Sequence, residues 1–286
     1  MIPIVDTHQH LWDLSLFHLP WLSGGGKLAE DHTMKRYVAE AVGLNIGASI
    51  YMEVDVDPSQ HSAEADYVID LCASDDNPMA AATIGGRPSS PGFAEYVEKY
   101  ACSPYVKGVR QVLHNGMPTS EFLSGAFVDG VRIAGQHGLH FDLCLQPEDI
   151  AAGAELADRC QNTQFVLDHC GNGNPQSADL SGWKSAITDM ARRENVICKI
   201  SGIVVFARPE IWTPADLEPI ITHCAEAFGP DRIIFGSDWP VCTLKSTYSR
   251  WVTALLSIIS GWSETERRKL LNQNAIRFYR LPQNLL

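Results

Sequence analysis

Three short polar clusters stand out because each closes an apolar run. His8-Gln9-His10 follows Ile2–Val5, Asp168-His169 follows Phe165-Val166-Leu167, and Gly236-Ser237-Asp238-Trp239 follows Ile233-Ile234-Phe235. Imidazoles two residues apart on a strand point to the same side, where they can bind a metal or polarise a carbonyl. A carboxylate such as Asp238 can take a proton from water, with Gly236 allowing close backbone approach and Trp239 walling the pocket. His169 is a third imidazole for the same place. Two cations sit within apolar runs, Arg110 and Lys199. A buried cation is costly unless paired or used. Both are expected to hold a carbonyl or carboxylate oxygen, or else to pair with an inward acid such as Glu53 or Asp55. Glu53 and His114 are further candidates for substrate contact.

The elements that must position these groups are eight short, largely apolar runs, most of them β-branched: Ile2–Val5, Gly47–Val54, Ala80–Ile84, Val106–Leu113, Leu139–Leu145, Gln164–Leu167, Val196–Ile200 and Arg232–Phe235. Near-continuous apolar character suits strands buried on both faces. Helix-start chemistry lies between them at Asp57-Pro58, Ser90-Pro91, Pro147 and Thr213-Pro214, with Gly138 and Gly229 at helix ends and a capping box from Ser263 to Glu266. This alternation predicts a (β/α)8 TIM barrel, one α/β domain over residues 1–286. A dinucleotide-binding open sheet would need G-x-G-x-x-G after an early strand, and the first strand runs into His8-Gln9-His10 instead. The irregular stretches 12–34, 114–120 and 171–182 follow strands and belong at the barrel mouth. Of these, 12–34 and 171–182 are expected to decide which substrate enters.

The chain has 286 residues, 45% hydrophobic and 20% charged, with 22 Lys+Arg against 34 Asp+Glu and a net charge of −12. An acidic chain without a basic run repels phosphate backbones and anionic lipid, so nucleic acid and membrane are not expected partners. The eight cysteines form no C-x-x-C pair and read as reduced thiols. The N-terminus has no basic region followed by an apolar run, which points to the cytoplasm. A homo-oligomer is left open.

D-x-H-x-H on the first strand, D-H-x-G on the sixth and G-S-D-W-P on the eighth resemble the amidohydrolase superfamily. More narrowly, they resemble its amidohydrolase-related branch of sugar-lactone and pyrone-dicarboxylate lactonases. Val106-Lys107-Gly108-Val109-Arg110, Cys198-Lys199-Ile200-Ser201-Gly202 and Asn274-Ala275 ahead of Phe278-Tyr279 extend the likeness across the chain. The resemblance implies a hydrolase with its site at the strand C-termini, where His8, His10, His169 and Asp238 match family positions. If a metal is bound, these four are its ligands, and a single zinc suits them best. Metal-dependent members often carry a bridging lysine on strand four and a histidine on strand five. Here Lys107 and His140 fall at the wrong ends of their strands, so a two-metal centre is not expected and no cofactor is strictly required.

The resulting expectation is a hydrolase that opens a small, sugar-lactone-like cyclic ester. Asp238, His169 and His10 do the chemistry, and Arg110, Lys199, His8, Glu53, His114 and Trp239 hold the substrate. A metal-dependent decarboxylase, or another metal-dependent amidohydrolase, is the alternative. A binding barrel without turnover is the third reading.

Overall fold

A computed structural model describes residues 2–114, 116–283 and 285. Eight parallel strands follow one another around a single sheet: β1 (Ile4–Gln9), β2 (Ile46–Met52), β3 (Met79–Gly85), β4 (Val106–Arg110), β5 (His140–Leu143), β6 (Phe165–Leu167), β7 (Val196–Ile200) and β8 (Ile233–Phe235). β8 returns to β1 at the top of the ring, where Asp238 N–H donates to the His8 carbonyl at 2.8 Å and His10 N–H to that of Trp239 at 2.8 Å. The expected barrel is present. Helices cover its outside, including His61–Cys72, Phe93–Ala101, Ile150–Arg159 and Pro214–Phe228. Pro214 opens its helix directly, whereas Pro58 and Pro147 open short 3-10 turns that lead into the helices at His61 and Ile150, and Pro91 lies two residues ahead of Phe93. Both bonds of the capping box form at Thr213–Asp216 and at Ser263–Glu266. No helix among the described residues is long and apolar enough to cross a membrane. All eight cysteines are free thiols, and only Cys102 is exposed.

Strand ends differ from expectation where the apolar criterion fails. β1 runs on through Asp6–Gln9, because inside a barrel polar side chains can be satisfied by neighbouring strands. β4 and β5 stop earlier, at Arg110 and Leu143. The large core lies between sheet and helices, and a second core fills the lower barrel with Val5, Ile50, Ala81, Val166, Ile197 and Ile234. Tyr279 and Leu281 of the C-terminal segment plug that end. Asn274 ties the segment down by donating to the carbonyls of Pro230 and Ile233, each at 2.8 Å.

Asp6 faces outward despite its place in D-x-H-x-H, because the β1–β2 register shifts between Asp6 and Gln9. It accepts from the Ser237 N–H at 2.7 Å and from the hydroxyls of Tyr37 and Tyr248 at 2.9 and 2.7 Å. It is a clamp between β1, β8 and two helices.

Candidate active site

His8 and His10 leave β1 pointing into the barrel mouth. His10 Nδ1 lies 3.0 Å from the carbonyl oxygens of both Met52 and Glu53. Carbonyls only accept, so Nδ1 carries the proton and Nε2 offers its lone pair inward. His8 is fully buried, with Nε2 3.1 Å from His10 Nε2 and Nδ1 3.2 Å from Lys199 Nζ. Burial and the Lys199 charge hold His8 well below the ordinary histidine range, so its ring is neutral near pH 7.

The other two candidates come from backbone that L-residues seldom adopt. Asp238 has φ of 59°. Its Oδ1 lies 3.5 Å from His10 Nε2 and 3.7 Å from His8 Nε2. After β6 the chain makes a left-handed turn, with φ of 54°, 53°, 59° and 53° at His169, Cys170, Gly171 and Asn172. Such geometry costs roughly 1–2 kcal/mol at each non-glycine residue. The turn brings the His169 ring, tilted by 53°, to 4.5 Å from that of His8 and sets its Nδ1 2.9 Å from Ser201 Oγ. Gly236 makes room for His8, since a Cβ there would stand 2.6 Å from the His8 Cβ.

Beneath this layer lies a sealed charge network. Lys199 donates to Asp142 at 2.8 Å and to Asp168 at 2.9 Å, with all three side chains fully buried. Burial would depress Lys199, but the two carboxylates raise it, and it stays charged. Burial would likewise lift Asp168, yet Lys199 and His8 keep it well below the usual carboxylate range. Arg110 donates from Nε to Glu53 Oε1 at 2.6 Å and from Nη2 to the Glu53 carbonyl at 2.8 Å. That pairing, with the Asp55 N–H, outweighs burial and keeps Glu53 ionised.

Behind Glu53, Glu64 Oε1 accepts from the Tyr51 hydroxyl and the Val54 N–H, both at 2.9 Å. Burial and the neighbouring Glu53 charge push Glu64 from 4.5 up to about 8. The fold therefore holds a proton that the unfolded chain releases. That stabilisation is complete below about pH 4.5 and is lost as pH rises through about 8. Glu64→Gln, which keeps the neutral shape, is expected to flatten the fall in denaturant midpoint between about pH 5 and 9. An unchanged slope would put the proton on another group.

A cavity of about 450 Å³ opens above. His10, His169, Asp238 and Arg110 form its polar floor, and His114, Asp55, Gln146 and Asn172 one flank. Four of the predicted contacts lie elsewhere. Trp239 is fully buried past the end of β8, donating to Glu40 at 3.0 Å and packed on Tyr37 and His32. Glu53 and Lys199 are sealed in their ion pairs, and His8 sits one layer beneath the floor. Trp12, Trp21 and Leu28 reach the wall from 12–34, as expected of that loop, whereas 171–182 supplies Asn172 alone. Val205, Phe206, Val241 and Leu244, after β7 and β8, complete it. Sequence reasoning missed them, because an apolar loop residue carries no sign of which side it faces.

The donors suit one divalent ion. His8 Nε2, His10 Nε2 and Asp238 Oδ1 stand 3.1, 3.5 and 3.7 Å apart. Ligands about 2.0–2.2 Å from a tetrahedral zinc are roughly 3.3–3.6 Å from one another. The His10 Nδ1–H fixed by backbone carbonyls is the outer support that metal-binding histidines use. His8, Asp168 and His169 also converge, but Asp168 is spent on Lys199. A bridging pair is not assembled among the described residues. Lys107 sits half-buried at the far end of β4, and His140 is held 3.1 Å from Thr83 Oγ1 and 2.9 Å from Asp142 Oδ1.

A family model described as amidohydrolase matches residues 5–281. The chain is 28% identical to a protein of Sinorhizobium fredii designated y4mH, over 98% of this chain and 99% of that protein. It is 27% identical to the L-fucono-1,5-lactonase of Burkholderia multivorans, over 98% of this chain and 96% of that enzyme. The crystal structure of a Burkholderia multivorans amidohydrolase with bound zinc superposes with a TM-score of 0.87 at 27% identity, covering 98% of this chain and 100% of that one.

Proposed function

The chain belongs to the amidohydrolase family, and from that premise we propose that it is a lactonase in which Asp238 activates the attacking water. The observation that carries this reading is the state of the carboxylates. Glu53, Asp142 and Asp168 are ion-paired beneath the floor, and Asp55 on the flank is paired with Arg87 at 2.7 Å. Among the described residues lining the cavity, Asp238 is the carboxylate with no lysine or arginine partner. Its nearest neighbours are two imidazole nitrogens. It is free to accept a proton where a lactone carbonyl would sit.

The chemistry divides among groups of this chain. The attacking water, seated over Asp238 Oδ1 and His10 Nε2, gives its proton to Asp238, and its oxygen bonds to the lactone carbonyl carbon. His169 Nδ1 pairs with the Ser201 hydroxyl at 2.9 Å, and in the tautomer in which Ser201 donates, Nε2–H faces the cavity. That donor and the Arg110 Nη1 hydrogens hold the oxyanion, typically the largest single electrostatic contribution. As the intermediate collapses, the ring C–O bond breaks and Asp238 returns its proton to the leaving oxygen. A divalent ion held by His8, His10 and Asp238 would polarise the carbonyl and acidify water.

Because acceptor and donors belong to the chain, exhaustive chelation is expected to leave most of the activity. A panel of lactones screened by a pH-indicator assay, with and without chelator, tests both points. No ring opening across the panel would end the lactonase reading. Activity lost with the chelator and restored by one divalent ion would instead favour a metal-dependent hydrolase or decarboxylase.

A further inference from the structure

We infer that the substrate is a neutral lactone bearing an alkyl or aryl substituent, not a polyhydroxylated or carboxylate-bearing ring. This deepens the lactonase reading and rests on it. The polar floor is small, and its groups are those the ring-opening step uses. The wall above is apolar, built by Trp12, Trp21 and Leu28 after β1, Val205 and Phe206 after β7, and Leu244 after β8. Lys27 bonds to the Thr243 carbonyl and so ties the first and last of these loops to each other.

Part of the flank's hydrogen-bonding capacity is spent on the protein itself, which leaves it one N–H on each amide and one Asp55 oxygen. The Gln146 amide donates to the His114 carbonyl at 3.1 Å, and the Asn172 amide to the Leu145 carbonyl at 2.7 Å. Asp55 is bound by Arg87 at 2.7 Å. A sugar-like ring would turn its wall-side hydroxyls against indole, phenyl and aliphatic faces, where those hydroxyls would lose their water without a partner. Glu53, the carboxylate expected to hold such hydroxyls, is sealed on Arg110. A substrate carboxylate fares no better. Among the described lining residues Arg110 is the sole lysine or arginine; its Nε and Nη2 are spent on Glu53, and its Nη1 is the edge the ring-opening step already uses. An alkyl or aryl group fits this wall without unpaired polar atoms, and the cavity of about 450 Å³ has space for it beyond a single ring.

The test compares kcat/KM of the full chain for δ-valerolactone, for its 5-propyl and 5-pentyl derivatives below their micellar concentrations, and for an aldono-1,5-lactone. The expected result is a rise of about fourfold per added methylene, the factor to which ~0.8 kcal/mol of burial converts. The aldonolactone should fall at least tenfold below the pentyl compound. Leu244 stands at the rim, 41% exposed, so the fold tolerates a charge there. Leu244→Glu should cut kcat/KM for the pentyl lactone about tenfold and flatten the series. A flat series in the parent protein, or a preference for the aldonolactone, overturns the inference and leaves the lactonase reading standing. Failure to open any of the four removes both.

Discussion

Asp238→Asn is expected to lower kcat for lactone opening by about a thousandfold or more, within the range that a positioned general base contributes. The denaturant midpoint should barely move. Asparagine keeps the shape and hydrogen-bonding reach of aspartate but cannot accept the proton. It is also the other residue that tolerates a positive φ, here 59°, so the backbone after β8 need not shift. The N–H bond from residue 238 to the His8 carbonyl at 2.8 Å survives the change. Alanine would mix lost chemistry with lost backbone geometry and is the poorer variant. Turnover of Asp238→Asn within tenfold of the parent would remove Asp238 as the base.

Lys199→Met should act mainly on stability. The methionine fills the space but leaves Asp142 and Asp168 without the ammonium now 2.8 and 2.9 Å away. Breaking a fully buried ion pair by deleting one partner costs about 3–5 kcal/mol. That is a large share of the ~5–15 kcal/mol that holds a typical domain folded. Asp168 keeps Arg110 at 3.5 Å and His8 at 3.4 Å, contacts too long to replace the lysine. Urea unfolding reports the loss directly. A midpoint close to the parent's, with kcat alone impaired, would move Lys199 from the scaffold into the chemistry.

Most of the barrel could be read from the chain because the runs are short and largely apolar, and several are followed by a polar cluster. The same contrast exposed His8, His10, His169 and Asp238, since polar residues that close buried strands must face the mouth or pay for burial. The charge network was only half visible. A lone Asp142 between Phe141 and Leu143 was a usable signal, because Lys199 on another buried strand needs an acid. Trp239 was misplaced because it lies past the end of β8, after the left-handed Asp238, where no strand period tells which way a side chain faces. The cavity wall had no comparable signature. Trp12, Trp21 and Phe206 are apolar residues in loops, and only the closed barrel decides that they face inward.

The left-handed turn at residues 169–172 also bears on how this mouth can vary by mutation. Four consecutive positive φ values admit glycine and asparagine readily and essentially exclude valine, isoleucine and threonine. Codon changes that diversify an ordinary loop are therefore filtered at this point by chirality alone, before any test of chemistry. Neither the 12–34 loop nor the one carrying Val205 and Phe206 has such a run, so both can exchange side chains and length more freely. Novelty in what the barrel accepts is thus channelled into two loops. The segment bearing His169 acts as a fixed point around which the rest of the mouth can be rewritten.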